Sequence, residues 1–180
     1  YNYLKSFYDW WLGDKINKDL IKGVKNIRNC MFKIQEFFKI NFYGYGLSSG
    51  TEDKKASSKK KSKLNLSNSE KNKLKKAHKK ILEKLEKNYE KRNKKLFSFF
   101  ITHNIPYNTK LDIVKQKGSV AHNKHLGSSI AREFIEKHKP LVCVGGHIHE
   151  GRGKQKIGKT LIINRGYGPK AQVVLDINED

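Results

Sequence analysis

The distribution of apolar residues along the chain predicts alternating strands and helices. Residues 96–102 and 141–144 are short, nearly continuous apolar runs, the pattern of strands covered on both faces. Residues 69–89 and 128–137 instead carry apolar side chains at helical spacing, and Ser128 and Ser129 can cap the second of these helices. Strand, helix and strand in this order indicate an α/β fold.

The flanking segments add further elements. Residues 31–43 are predicted to form a β-hairpin, with Gly44 and Gly46 breaking its second strand, and residues 157–163 and 171–177 are predicted as two more strands. Residues 1–29 have helical spacing of aromatic and aliphatic side chains. Residues 47–68 are Ser, Lys, Gly and Asn with almost no apolar residues, which predicts a loop without stable structure.

Charge is the most unusual feature of the composition. The chain of 180 residues has a formal net charge of +22, and residues 51–95 hold eighteen Lys and Arg against six Asp and Glu. A surface this basic favours polyanions, above all nucleic acid, although a solvated lysine-rich face is the competing interpretation. Two cysteines form no disulfide framework, and no apolar run has the length of a membrane span, so we expect a cytoplasmic location without membrane contact.

Histidines follow both central strands. His103 ends the run at 96–102, and the sequence Gly-Gly-His-Ile-His places His147 and His149 after the run at 141–144. Parallel strands bring their carboxyl ends to one edge of a sheet, and an extended tip would send both His147 and His149 to the same face. Imidazole is the commonest metal-binding side chain, so these three histidines are candidate metal ligands. His122 and His125 lie among polar residues and are predicted to be exposed.

Three stretches together resemble the calcineurin-like metallophosphoesterase family. They are Phe-Ile-Thr-His-Asn-Ile-Pro-Tyr-Asn-Thr-Lys-Leu-Asp at 100–112, Gly-His-Ile-His at 146–149 and Thr-Leu-Ile-Ile-Asn-Arg-Gly at 160–166. They are similar to the C-terminal half of small archaeal-type members. Where the family often has Asn-Pro-Gly, this chain has Asn164-Arg165-Gly166.

The resemblance implies a fold and a site. The fold would be the C-terminal half of a four-layer α-β-β-α sandwich, forming one partial domain over residues 1–180 with a basic loop and helix inserted at 47–95. The site would hold two divalent metal ions of Mn, Fe, Zn or Ni, with His103 and His147 on one metal and His149 on the other. Asn104 and Tyr107 would lie where substrate binds.

The first three motifs of that family, D-x-H, G-D-x-x-D and G-N-H-[DE], are absent from the sequence. They would supply a bridging carboxylate, an asparagine ligand and the histidine that assists the leaving group, so the catalytic residues are unknown here. We therefore expect the missing half in cis or on a separate chain, and an incomplete, inactive metal centre in this chain alone.

Three functions remain open from the sequence. The first is the C-terminal part of a metal-dependent phosphoesterase acting on phosphate monoesters or diesters. The second is a non-catalytic scaffold or protein-binding module on the same fold, because a fold does not fix a function. The third is a nucleic-acid-binding module acting through residues 51–95.

Overall fold

The computed structural model describes residues 28–46, 67–119, 121–168 and 174–177. Two helices, a single 3-10 turn and six strands make up these ranges: β1 Ile34–Phe37, β2 Ile40–Tyr45, α1 Asn68–Tyr89, β3 Phe97–Asn104, α2 Ser129–His138, β4 Val142–Gly146, the 3-10 turn His149–Gly151, β5 Gly153–Ile157 and β6 Thr160–Asn164. The α/β class is confirmed. The predicted N-terminal helices and basic loop fall mainly on residues 1–27 and 47–66, which lie outside the described ranges.

The strands form one mixed sheet in the order β1-β2-β3-β4-β6-β5. β2, β3, β4 and β6 run parallel, while β1 and β5 pair antiparallel at the two edges. The carboxyl ends of the four parallel strands therefore meet at one edge of the sheet, which we call the carboxyl edge. Ligands in open α/β sheets bind at such an edge.

Both helices begin at a serine cap. Ser67 and Glu70 form a reciprocal capping box, in which each side chain accepts the backbone N–H of the other residue, so α1 starts one residue before the predicted 69. Of the two predicted cap residues, Ser128 accepts the N–H of Ala131 at the start of α2, and Ser129 is the first residue of the helix. Lys139 ends α2 in the left-handed conformation, just before Pro140.

The main core lies between the helices and one face of the sheet. Phe100 of β3 packs on Phe134 of α2 with ring centroids 4.4 Å apart, and both residues are fully buried. Tyr43 of β2 donates its hydroxyl to the carbonyl of Leu85 in α1 at 2.6 Å. Because both helices contribute to this cluster, they cover the same sheet face.

The opposite face of the sheet is also apolar. Phe99, Val142 and Ile163 form its buried centre, whereas Phe97 and Ile101 of β3 remain 49% and 39% exposed. Within the described residues, this cluster has no member from α1 or α2. The predicted second sheet of a four-layer sandwich would belong on this face, and that prediction stays untested.

The structure corrects three strand predictions. Gly44 does not break β2: the strand continues to Tyr45, and the missing side chain admits Cys30, whose sulfur would lie 2.7 Å from a Cβ at this position. Residues 157–163 are not one strand, because a turn at Gly158 (φ +55°) separates β5 from β6. Of the predicted strand at 171–177, residues 171–173 lie outside the described ranges and residues 174–177 form no strand, although Leu175 packs against the second cluster.

The predicted hairpin is confirmed as β1–β2. Its two turn residues, Phe38 and Lys39, both have positive φ, the pattern of the tight turn that matches strand twist. In the described part of the chain, no helix is both long and apolar enough to cross a membrane.

Candidate metal-binding site

Two of the predicted histidines meet at the carboxyl edge. His103 is the seventh residue of β3, and His147 directly follows β4. Since β3 and β4 are adjacent and parallel, with Asn104 opposite Gly146, the chain delivers both imidazoles to one place. Gly145 permits this close approach, because a Cβ there would lie 2.7 Å from the Thr102 hydroxyl.

The two rings face each other through nitrogen atoms. His103 Nε2 lies 3.1 Å from His147 Nδ1, with ring centroids 5.0 Å apart. Burial, and then the nearby charge of His149, lower the pKa of His103. His103 is therefore held towards its neutral form, which is the form that binds metal ions.

The backbone at His147 is strained. Its φ is +72°, and the N–H of Ile148 donates to the carbonyl of Gly146 at 2.9 Å across it. A two-residue hydrogen bond with positive φ at the centre marks the rare, strained form of the γ-turn. Strain of this kind clusters at functional sites. The turn also shows that the expectation of an extended histidine tip was wrong.

His149 packs against a different partner from that of His147. It opens the 3-10 turn His149–Gly151 and stacks on Tyr167, with centroids 4.6 Å apart and planes 25° apart. Across the described ranges, no group of three or more His, Cys, Asp or Glu side chains is placed to hold a metal ion. The structure thus brings His103 and His147 together, and the assignment of all three as ligands stays a prediction.

Asn164 holds in place the segment 147–151, which contains the γ-turn at His147 and the 3-10 turn and which we call the histidine turn. This fully buried residue ends β6, and its amide nitrogen donates to the carbonyls of Ile148 (2.8 Å) and Leu111 (3.2 Å). Its oxygen accepts the N–H of Gly166 at 2.9 Å. The sequence analysis gave Asn164 no positioning role; the available signal was a polar residue at the end of an apolar run.

The long loop between β3 and α2 packs along the histidine turn. Glu150 accepts the backbone N–H groups of Lys115 and Gln116 at 3.1 and 3.4 Å. Those hydrogen bonds help lower the pKa of Glu150, after the contribution of its own backbone N–H. The loop and the turn are thus one connected structure.

The predicted substrate-binding residues both lie in or beside this loop. Asn104 is buried and donates to the carbonyl of Leu126 at 3.3 Å. Tyr107 is half-buried and packs edge-on against His125, with centroids 5.8 Å apart. These contacts show how the two residues are held, and their role in binding substrate stays a prediction.

His125 does not behave as predicted. Its Nδ1 lies 2.7 Å from the fully buried Asp112 carboxylate, and only 26% of its side chain is exposed. Asp112 could have been expected to orient a basic group or to cap a turn, but the sequence did not indicate that His125, thirteen residues away, is its partner. His122 is exposed, as expected.

Comparison with other proteins supports the fold without naming a function. No protein-family model matches. The uncharacterized protein MJ1162 of Methanocaldococcus jannaschii is 37% identical over 84 residues, which cover 46% of this chain and 36% of that protein. One crystal structure matches 84% of this chain and 51% of its own chain, with a TM-score of 0.56 and 15% identity.

A second solved structure, TT1561 of Thermus thermophilus, matches with a TM-score of 0.40 at 16% identity, over 87% of this chain and 56% of that one. The chain therefore spans about half the length of the solved chains it matches, and the match to the archaeal relative spans about a third of that protein. The TM-score of 0.56 shows a shared fold and nothing further.

Proposed function

We propose that this chain is the C-terminal part of a metal-dependent phosphoesterase and supplies histidine ligands to its metal centre. The observation that carries the proposal is the His103–His147 pair, whose nitrogens lie 3.1 Å apart at the ends of adjacent parallel strands. The resemblance of the histidine segments to metallophosphoesterases gives the reaction class.

The pair fits a shared metal ion. Two imidazole nitrogens, each about 2.0–2.1 Å from one metal, lie roughly 2.8–3.4 Å apart in octahedral to tetrahedral geometry. The distance of 3.1 Å falls within that interval. Burial lowers the pKa of His103, which favours the neutral form that binds metal ions, and His147 is exposed and therefore accessible. Imidazole alone does not select among Mn, Fe, Zn and Ni.

When bound, divalent metal ions polarise a phosphate ester and activate water. This chain's own residues would hold and orient that centre: Asn164 fixes the histidine turn, and Glu150 fixes the loop beside it. The remaining ligands would come from the half of the enzyme that the three absent motifs represent, in cis or on a partner chain.

The direct test is metal binding. Zn²⁺ and Mn²⁺ would be titrated into the 180-residue chain and into its His103→Ala and His147→Ala variants, with His122→Ala as the control. We expect either substitution at the pair to weaken binding at least about tenfold, and His122→Ala to leave it unchanged. Equal affinity in all four proteins would refute the site.

Hydrolysis tests the reaction. The intact mass of the protein from its native source, and the identity of any co-purifying chain, would show where the remaining ligands reside. We expect hydrolysis of bis(p-nitrophenyl) phosphate by the complete protein or complex, little by the isolated chain, and loss of activity in His147→Ala. Full activity of the isolated chain would contradict the incomplete centre.

Nucleic-acid binding is a second candidate, favoured by the charge on α1. This helix carries eight lysines against three glutamates, and its exposed residues are mostly lysines. Binding through this helix would weaken steeply with salt and survive His147→Ala. If it accompanies hydrolysis, the ester would be a nucleic-acid phosphodiester.

A further inference from the structure

We propose that His125 binds the phosphoryl anion of the substrate and that Asp112 is its positioning residue. The inference deepens the proposed function, because its ligand class rests on a phosphate ester being the substrate. It adds to the carboxyl edge an anion-binding residue that the sequence had placed among exposed loop histidines.

Asp112 fixes the tautomer of His125. The carboxylate is fully buried and accepts the N–H groups of Asn108, Thr109 and Gly127 at 3.2, 2.8 and 2.9 Å, together with the Thr109 hydroxyl at 3.1 Å. Because an ionised carboxylate only accepts hydrogen bonds, Nδ1 of His125 must carry the proton in the 2.7 Å contact. This leaves Nε2 on the far side of the ring as the second binding position.

The chain places this imidazole beside the end of β3. Asn104, which follows His103, donates to the carbonyl of Leu126, which follows His125, at 3.3 Å. Ser128 then pairs with the same strand end: its N–H donates to Ile105 at 2.8 Å, and its carbonyl accepts from Tyr107 at 2.9 Å. The segment that carries His125 therefore runs alongside residues 104–107, which follow His103 in the chain.

The surroundings contact the His125 ring while leaving part of it accessible. Tyr107 packs edge-on to its ring at 5.8 Å between centroids. Arg132 of α2 donates to the carbonyls of Tyr107 and Asn108 at 3.3 and 3.2 Å, fixing that turn to a helix. About a quarter of the His125 side chain remains open to solvent. Groups fixed in this way bind ligands without a large ordering cost.

The chemistry of the pair suits a phosphate oxygen. When Nε2 also takes up a proton, the imidazole keeps its Nδ1–H on Asp112 and donates its Nε2–H to one phosphate oxygen in a charge-assisted hydrogen bond. The alternative explanation is that His125 and Asp112 form a purely structural ion pair. Such a pair uses only Nδ1 of His125, so added phosphate would cause no response at Nε2.

The test titrates inorganic phosphate into the full chain in EDTA and follows the side-chain nitrogen resonances of the histidines. We expect an Nδ1-protonated tautomer of His125 in the phosphate-free protein, a saturable shift of its Nε2 towards the protonated ring as phosphate binds, and at least about tenfold weaker phosphate binding in His125→Gln. His122→Gln, in the same exposed loop, is the matched control and should bind as the parent does. Asp112→Asn should weaken binding and abolish the tautomer preference.

No saturable shift at His125, or equal losses in His125→Gln and His122→Gln, would overturn the proposal even if Asp112→Asn failed to fold. The metal titration separates it from the hydrolase proposal. Phosphate binding at His125 without metal binding at His103 and His147 would retain the anion site and reject the hydrolase. Metal binding at His103 and His147 without a phosphate response at His125 would reject the anion site and leave the hydrolase proposal standing.

Discussion

The side chain of Asn164 donates a hydrogen bond of 2.8 Å to the carbonyl of Ile148, joining the end of β6 to the turn that presents His147. The same amide reaches Leu111 in the neighbouring loop. One buried residue therefore connects three segments of the carboxyl edge, and the geometry of the histidine turn depends on it.

Replacement of Asn164 by Ala should destabilise the protein and loosen the site. Three hydrogen bonds are lost, and buried carbonyls are left without this donor, so we expect a loss of about 2–4 kcal/mol in the free energy of unfolding. Metal affinity should fall about 10–100-fold, as for other residues that orient ligands. Urea unfolding and Zn²⁺ titration measure the two effects. Asn72→Ala, on the exposed side of α1, should leave metal affinity unchanged and cause no loss of stability, and similar losses in both variants would contradict this role.

Glycine should be tolerated at position 147 better than alanine. Because φ is +72° there, we expect His147→Gly to be about 1 kcal/mol more stable than His147→Ala, although both variants lose the imidazole. Urea unfolding of the two variants gives the difference directly. His149, which lacks a positive φ, is the control: there the glycine variant should be the less stable one. If the alanine variant were the more stable one at position 147 as well as at position 149, the turn at His147 would be unstrained.

Ser67 should contribute more to stability than its neighbour Ser69. Ser67→Ala removes the oxygen that accepts the N–H of Glu70, and we expect a cost of about 1 kcal/mol. Ser69 lies inside the first turn and is exposed, so Ser69→Ala should be neutral or slightly stabilising. Thermal unfolding of both variants tests the pair, and a larger loss in Ser69→Ala would move the helix start to residue 70.

Cys143 should be inert towards thiol reagents while the protein is folded. Burial raises the pKa of its thiol to about 12, so only about one molecule in ten thousand carries the thiolate at pH 8. In a Cys30→Ser background, a disulfide reagent at pH 8 should label Cys143 only after urea unfolds the chain. Rapid labelling of the folded protein would contradict this burial.

The raised pKa also gives the sign of a stability change. Folding favours the protonated thiol, so this contribution is fully present below the unfolded pKa of about 8.5 and declines as pH rises towards 12. A Cys143→Ala variant should show less loss of stability over this alkaline interval than the parent, which urea unfolding at several pH values would measure.

The sequence by itself determined the central strands, both described helices and the meeting of His103 with His147. Apolar runs predict β3 and β4 because strands buried on both faces need no polar alternation. Ser128 and helical spacing predict α2 because capping and amphipathic periodicity act over a few residues. The edge shared by two strand-end histidines follows from parallel pairing alone.

Only the tertiary structure decided how that edge is arranged. The turn at Gly158, the strained γ-turn at His147 and the stacking of His149 on Tyr167 depend on how the chain folds back on itself. Asp112 and His125 are thirteen residues apart, and Asn164 is sixteen residues from Ile148. A local pattern carries no information about such partners, because burial and hydrogen bonding between distant segments select them only once the sheet has formed.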